Sequence, residues 1–225
     1  MANTETTINA VIHPKYNDNP IDIEKTIKAL ERNNFVVHYF ETGTEAISYL
    51  KGRIQNKRVA IGDSRTLLKL NAYEALSEVN KDVTDIQRPL PGESFRDTAL
   101  RTMGRDVFLT SVNALAQTGE MVNIDGTGNR VAASLFGSQE VFFVLGINKI
   151  TPDLASAIYR ARNVAAPLNS KKNKKSSLNP CATLEENCYD CGSPDRICNA
   201  LTIYYKKMRN MQTMEVIIIN ESLGF

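Results

Sequence analysis

The sequence predicts an α/β fold with a mostly parallel sheet and helices on both faces. Three observations carry that prediction. Helical and strand-like segments alternate through the first half of the chain, the pattern of strands joined by crossover helices. Two short, continuous apolar runs, Val107-Phe-Leu and Val141-Phe-Phe-Val-Leu, are rich in β-branched and aromatic residues, as strands buried on both faces are. A third run, Met214-Glu-Val-Ile-Ile-Ile-Asn, reads as a final strand returning to the same sheet.

Taken in order, Asn19-Pro20 opens a helix whose Ile23, Ile27 and Leu30 recur at helical spacing, and residues 35–40 follow as a strand. A helix over 44–54 and a strand over 58–61 come next, and a short helix starts within Gly62-Asp-Ser-Arg-Thr66. Residues 81–93, with Pro89, Pro91 and Gly92, form an irregular connection containing a brief strand at 82–86, and a helix over 94–103 precedes the central stretch. Beyond it lie a helix over 152–163 with Asp153 in its first turn, a basic loop at 171–177, a helix over 199–209 with Leu201, Tyr204 or Tyr205 and Met208 inward, and the last strand.

A chain of 225 residues fits one large domain, or one domain with an appendage, and buries a sizeable core. Its net charge of +2 offers no large basic field for nucleic acid, and the five lysines and serines after Lys171 lack the interleaved aromatics of a single-strand binder. Residues 1–7 are polar, without the basic and apolar regions of a secretory leader, and no run is long enough to cross a bilayer. A cytoplasmic protein with neither membrane nor nucleic-acid partner is therefore expected. His13 and His38 stand outside every motif, which argues against nucleophilic hydrolysis and gives His38 a packing role.

The centre of the chain is Asn123-Ile-Asp125-Gly126-Thr-Gly128-Asn129-Arg130, between the two buried runs. Its glycines allow positive φ and close approach to a ligand, Asn129 can cap a helix over 130–136, and Arg130 adds a guanidinium; together these suit a carboxylate or phosphate. The simpler reading is a hairpin turn and a packing helix with nothing bound. Gly62, Asp63, Ser64, Arg65 and Thr66 follow a strand, where open α/β sheets bind ligands, and Ser64, Arg65 and Thr66 supply hydroxyls and a bidentate cation. There, too, a helix N-cap beside a surface arginine is the simpler alternative. Thr110 and Asn113, just past a buried strand, reach the same cleft or bond only to neighbouring backbone.

All four cysteines fall in Cys181-x6-Cys188-x2-Cys191-x6-Cys198. Four thiolates close together suit a cubane iron-sulfur cluster or a tetrahedral zinc; disulfides need an oxidising compartment, and free buried thiols rank below metal. Spacing leaves the choice of metal open, since it matches neither a zinc ribbon nor a ferredoxin run. Arg196 and Tyr189 lie close enough in sequence to tune a metal site at these cysteines, with surface packing the simpler role for both.

The run from Asp106 through Asn113, Thr118-Gly-Glu through Val131, and Val144-Leu-Gly-Ile-Asn-Lys-Ile150 together resembles the signature of the LUD domain, the lactate-utilisation family. The likeness extends back to Gly62 and forward past the cysteines to Gly224, so the whole chain, residues 1–225, is expected to form a single LUD domain with a cysteine-rich segment at about 180–199 inserted before the C-terminal helix and strand. The resemblance implies the NagB/RpiA/CoA transferase-like fold, similar to 5-formyltetrahydrofolate cyclo-ligase. Neither Glu93 nor Glu120 sits in a motif matching the catalytic glutamate of CoA transferases.

It also implies a 4Fe-4S cluster at Cys181, Cys188, Cys191 and Cys198, with zinc as the alternative, in a component of L-lactate oxidation to pyruvate. Iron-sulfur electron-transfer subunits would be partners, a small anion such as lactate or another carboxylate the substrate, and a homodimer the assembly. Two other functions stay open. One is a stand-alone isomerase or ligase on a phosphorylated or carboxylated small molecule, and the other is a regulatory or scaffold subunit with structural zinc.

Overall fold

A computed structural model describes residues 21–173, 176–184 and 187–225. His13, the expected helix opening at Asn19-Pro20, and Lys174 and Lys175 of the basic run lie outside these residues. The elements run α1 (Ile23–Arg32), β1 (Val36–Phe40), α2 (Gly43–Arg53), β2 (Arg58–Ile61), α3 (Arg65–Lys69), α4 (Ala72–Ser77), β3 (Asp82–Asp85), α5 (Phe95–Thr102) and β4 (Val107–Thr110). They continue with β5 (Ala114–Ala116), β6 (Met121–Asp125), α6 (Asn129–Leu135), β7 (Glu140–Gly146), a 3-10 turn (Ile147–Lys149) and β8 (Ile150–Thr151). The last are α7 (Leu154–Arg160), a π turn (Ala161–Ala165), α8 (Ala166–Lys172), α9 (Pro180–Thr183), β9 (Ala200–Tyr204) and β10 (Thr213–Ile219).

Six strands make one fully parallel sheet in the order β1-β10-β7-β4-β2-β3. Its central strands alternate their apolar residues between two cores, because successive side chains of a strand point to opposite faces. Phe142, Val144, Ile217 and Ile219 pack with Leu50 of α2 and Leu67 of α3. Phe143, Leu145, Val216 and Ile218 pack on the other face with Leu30 of α1, Ala133 of α6 and Leu115 and Met121 of a second sheet. The helices begin where their caps dictate. Asp22, Ser64 and Asp153 accept from backbone N–H groups, while Thr42 with Glu45 and Ser94 with Asp97 complete capping boxes.

Three expectations need correction. The single sheet is joined by a second, four-stranded one, β8-β5-β6-β9, whose outer face packs on Ala157 and Ala161. The helix expected over 199–209 is instead β9, antiparallel to β6. Leu201, Tyr204 and Met208 do fall at helical spacing, but Thr202, Ile203 and Tyr204 are strand formers and β6 offers an edge to pair. Tyr204 is buried with its hydroxyl 2.6 Å from Ser134 Oγ, whereas Leu201 and Tyr205 face outward. The helix beginning near residue 152 starts at Leu154 and runs on through the π turn to Lys172, so the first two lysines of the basic run close a helix rather than open a loop.

Candidate functional site

The carboxyl ends of β2, β4 and β7 open into a cleft of about 390 Å³, in the range of small-molecule sites. Of the residues expected there, Asp63, Ser64, Arg65, Asn113, Asp125, Gly126, Asn129 and Arg130 line it, whereas Gly62, Thr66, Thr110 and Gly128 do not. Gly62 is needed for close packing, since a Cβ would lie 2.8 Å from Phe108 Cζ.

The Asp125–Arg130 loop differs from the expected anion cradle. Of its two glycines only Gly128 takes positive φ (82°), and it, not Asn129, is the N-cap of α6. The free N–H groups of Thr127 and Gly128 donate to Asp125 Oδ1 at 3.1 and 2.9 Å, so the loop supplies its own anion. Arg130 is held by Ile124 O at 2.5 Å, with Asp125 Oδ2 and Asn113 Oδ1 each at 3.4 Å. Asn113 Oδ1 also accepts from Ile124 N–H, and Asn113 N–H donates to Asn123 Oδ1, a reciprocal lock between β6 and the end of β4. Arg130 therefore shapes the wall.

Across the cleft, Ser64 spends its hydroxyl capping α3, and Asp63 accepts from Gln87. Arg65 is exposed in the first turn of α3 and has no hydrogen bond or ion pair among the described residues.

Sequence reasoning missed Lys149. It follows β7 by three residues and is only 4% exposed, yet it contributes to the cleft wall. Its Nζ donates to Thr66 Oγ1 and Ser111 Oγ, each at 3.0 Å, and to Val112 O at 3.1 Å, with no carboxylate among these partners. Burial first, then the guanidinium groups of Arg160 and Arg130, push its pKa well below that of free lysine. The last residues lie over it. Thr66 Oγ1 donates to Leu223 O, and Gly224 takes φ 67° where a Cβ would come within 2.6 Å of Thr66 Oγ1 and 3.3 Å of Lys149 Nζ. The available signal was position: a lone cation just past a central strand, where α/β sheets bind ligands.

The cysteine segment forms another part of the wall. Ile197 lines the cleft, and its backbone sits so close to Gly126 that a Cβ there would be 3.1 Å from Ile197 Cα. Asn199 N–H donates to Asp125 O and its side chain to Gly126 O. Cys181, Cys188, Cys191 and Cys198 are all unpaired thiols of intermediate exposure. Burial pushes the Cys181 thiol up, Ser170 opposes this, and the other three cysteines raise it further. Arg162 Nη2 lies 3.8 Å from Cys188 Sγ and Arg196 Nε donates to Cys198 Sγ at 3.1 Å, while both arginines pair with Asp190. Arg196 is thus a clamp on the segment rather than surface packing. Among the described residues, no three His, Cys, Asp or Glu side chains gather closely enough to hold a metal ion. The donor set suits a thiolate-bound group in number, softness and charge balance, though its sulfurs are not drawn together as ligands.

His38, in β1, joins a polar cluster away from this cleft, its Nε2 2.8 Å from Tyr49 Oη and 3.6 Å from Glu215. No helix among the described residues is long and apolar enough to cross a membrane.

A family model described as the LUD domain matches residues 23–219. The crystal structure of a DUF162 family protein from Deinococcus radiodurans is similar with a TM-score of 0.51 and 13% identity, covering 89% of this chain and 99% of that one, a likeness of fold alone. No curated protein matches the chain.

Proposed function

The chain belongs to the LUD domain family, and from that premise we propose that its cleft binds a small carboxylate of the lactate and pyruvate class beside a thiolate-held redox group. The observation that carries this reading is the shared wall. Ile197, between Arg196 and Cys198, lines the same cleft as Arg65 and Lys149.

In this reading Arg65 pairs with the substrate carboxylate, because it is the cleft cation with no partner of its own among the described residues. The Asn113 and Arg130 lock holds the opposite wall rigid, and Ile197 and Phe225 exclude water from the bound molecule's apolar end. Cys181, Cys188, Cys191 and Cys198 would hold a 4Fe-4S cluster, which when bound supplies a one-electron acceptor. Arg162 and Arg196 offset the charge of the thiolates. Partner electron-transfer subunits would then carry the electrons onward in oxidation of lactate to pyruvate.

Anaerobic purification with assay of iron, sulfide and zinc, together with calorimetric titration of lactate and pyruvate, tests both halves. The expected result is stoichiometric iron and sulfide, and carboxylate binding that Arg65→Ala weakens about ten-fold or more, the scale of a hydrogen bond to a charged group. Zinc without iron makes the cysteines a structural clamp, and carboxylate binding indifferent to Arg65 removes that residue's role.

A further inference from the structure

Lys149 has no task in the carboxylate reading. An amine buried so deeply is costly unless paired or neutral. The groups bonded to it are two hydroxyls and a carbonyl, and the charged groups acting on it are Arg160 and Arg130, both cations. The aspartates on the cleft wall are engaged elsewhere, Asp125 with Arg130 and its own loop, Asp63 with Gln87. Packing alone would be served by an apolar side chain. An amine at the wall of a cleft with no carboxylate to hold its charge becomes a nucleophile once it sheds a proton.

We propose that Lys149 is the nucleophile of this cleft, forming an imine with a small 2-oxo acid whose carboxylate rests on Arg65. The proposal depends on the carboxylate reading of the same cleft. In the step, the lone pair of Nζ attacks the carbonyl carbon, a C–N bond forms, and the carbonyl π electrons move to oxygen, which takes a proton. Nζ loses its protons, the C–O bond breaks, and water leaves. Amine and ketone become imine and water, with nothing oxidised or reduced.

The hydroxyls for these proton movements are in place. Thr66 Oγ1 and Ser111 Oγ each lie 3.0 Å from Nζ and 3.3 Å from one another, so either can relay a proton between nitrogen and the departing oxygen. The three anchors also fix the position of the side chain; with Cε they fill every direction around Nζ, so the substrate carbonyl takes the place of one of them.

The test is reductive trapping on the full-length protein, with pyruvate as the probe and borohydride as the reductant, followed by peptide mass mapping. Calorimetry with pyruvate on the same preparation reads binding separately. The expected result is one reduced adduct per chain, on Lys149, saturating with pyruvate, lost in Lys149→Met and Lys149→Arg, and lowered about ten-fold or more at sub-saturating pyruvate in Arg65→Ala. The wild-type mapping stands even where a Lys149 variant folds poorly. Pyruvate binding without an adduct overturns the imine and leaves the carboxylate reading standing. Adducts only on exposed lysines, rising linearly with reagent, also overturn it. Absence of both binding and adduct removes the two readings together.

Discussion

The two ends of the six-stranded sheet treat charge in opposite ways. At the amino ends of the strands, Arg53 bridges Glu140 and Glu215, whose side chains are only 5% and 3% exposed, and Lys57 lies 3.4 Å from Glu140. Tyr49 donates to Glu215, and Arg58 chelates Asp106. Every buried acid there meets a cation. At the carboxyl ends, Lys149 is buried without an acid and Arg65 is left unpaired among the described residues. One end pairs its buried charges, and at the other Lys149 and Arg65 have no carboxylate partner among the described residues.

The sharpest way to break this contrast is at Arg53. Arg53→Met leaves two buried carboxylates with Lys57, Tyr49 and His38 as their remaining neighbours, and is expected to destabilise the fold by about 3 kcal/mol, the low end for breaking a buried pair because Arg53 is partly exposed. Urea denaturation measures it, and a loss below about 1 kcal/mol would deny the network its structural role.

Lys149→Met should behave differently, changing stability at neutral pH by no more than about 1.5 kcal/mol, since the volume is nearly conserved and Ser111 and Thr66 can bond each other. The pH dependence sharpens the point. Free lysine titrates near 10.4, and the folded pKa is lower, first through burial and then through Arg160 and Arg130. Between the folded value and about 10.4 the unfolded chain binds more protons, so stability rises with pH across that window and the increment is absent below both values. Lys149→Met should flatten this slope in denaturation curves collected from neutral to alkaline pH, and an unchanged slope assigns it to other groups.

Smallest of the stability effects is that of Arg65→Ala. Exposed and unpaired, Arg65 should change unfolding free energy by less than about 0.5 kcal/mol while carboxylate affinity drops. A larger loss of stability would mean that Arg65 supports the wall.

Much of the parallel sheet was legible because its strands are buried on both faces and so read as continuous apolar runs, as in Phe142-Phe-Val-Leu and Val216-Ile-Ile-Ile. The second sheet was not, for physical reasons. Strands β5 and β6 are short and buried throughout, so they show no alternation, and Asn123 in the middle of β6 reads as a loop residue until its exchange with Asn113 is seen. In β9, helical spacing and strand propensity compete within five residues, and only the partner strand decides. At the site, strand ends followed by glycine and hydroxyl residues pointed to the corner where the cleft opens. What sequence could not supply is occupancy: the N–H groups of Thr127 and Gly128 were already taken by Asp125, whereas Lys149, hidden in an apolar stretch, was the buried amine on the cleft wall.

The π turn at Ala161–Ala165 has a consequence for register. It places one extra residue in the helix that runs from Leu154 to Lys172, and within it Arg162 reaches Cys188 and Asp190 while Asn163 accepts from Cys188 N–H. The wide turn absorbs that residue, so the helix beyond it keeps the angular phase of a regular helix one residue shorter. Ala166 and Asn169 thus stay on the cleft wall while the turn itself aims Arg162 and Asn163 at the cysteine segment. One helix therefore serves two surfaces, its regular part the cleft and its wide turn the thiols.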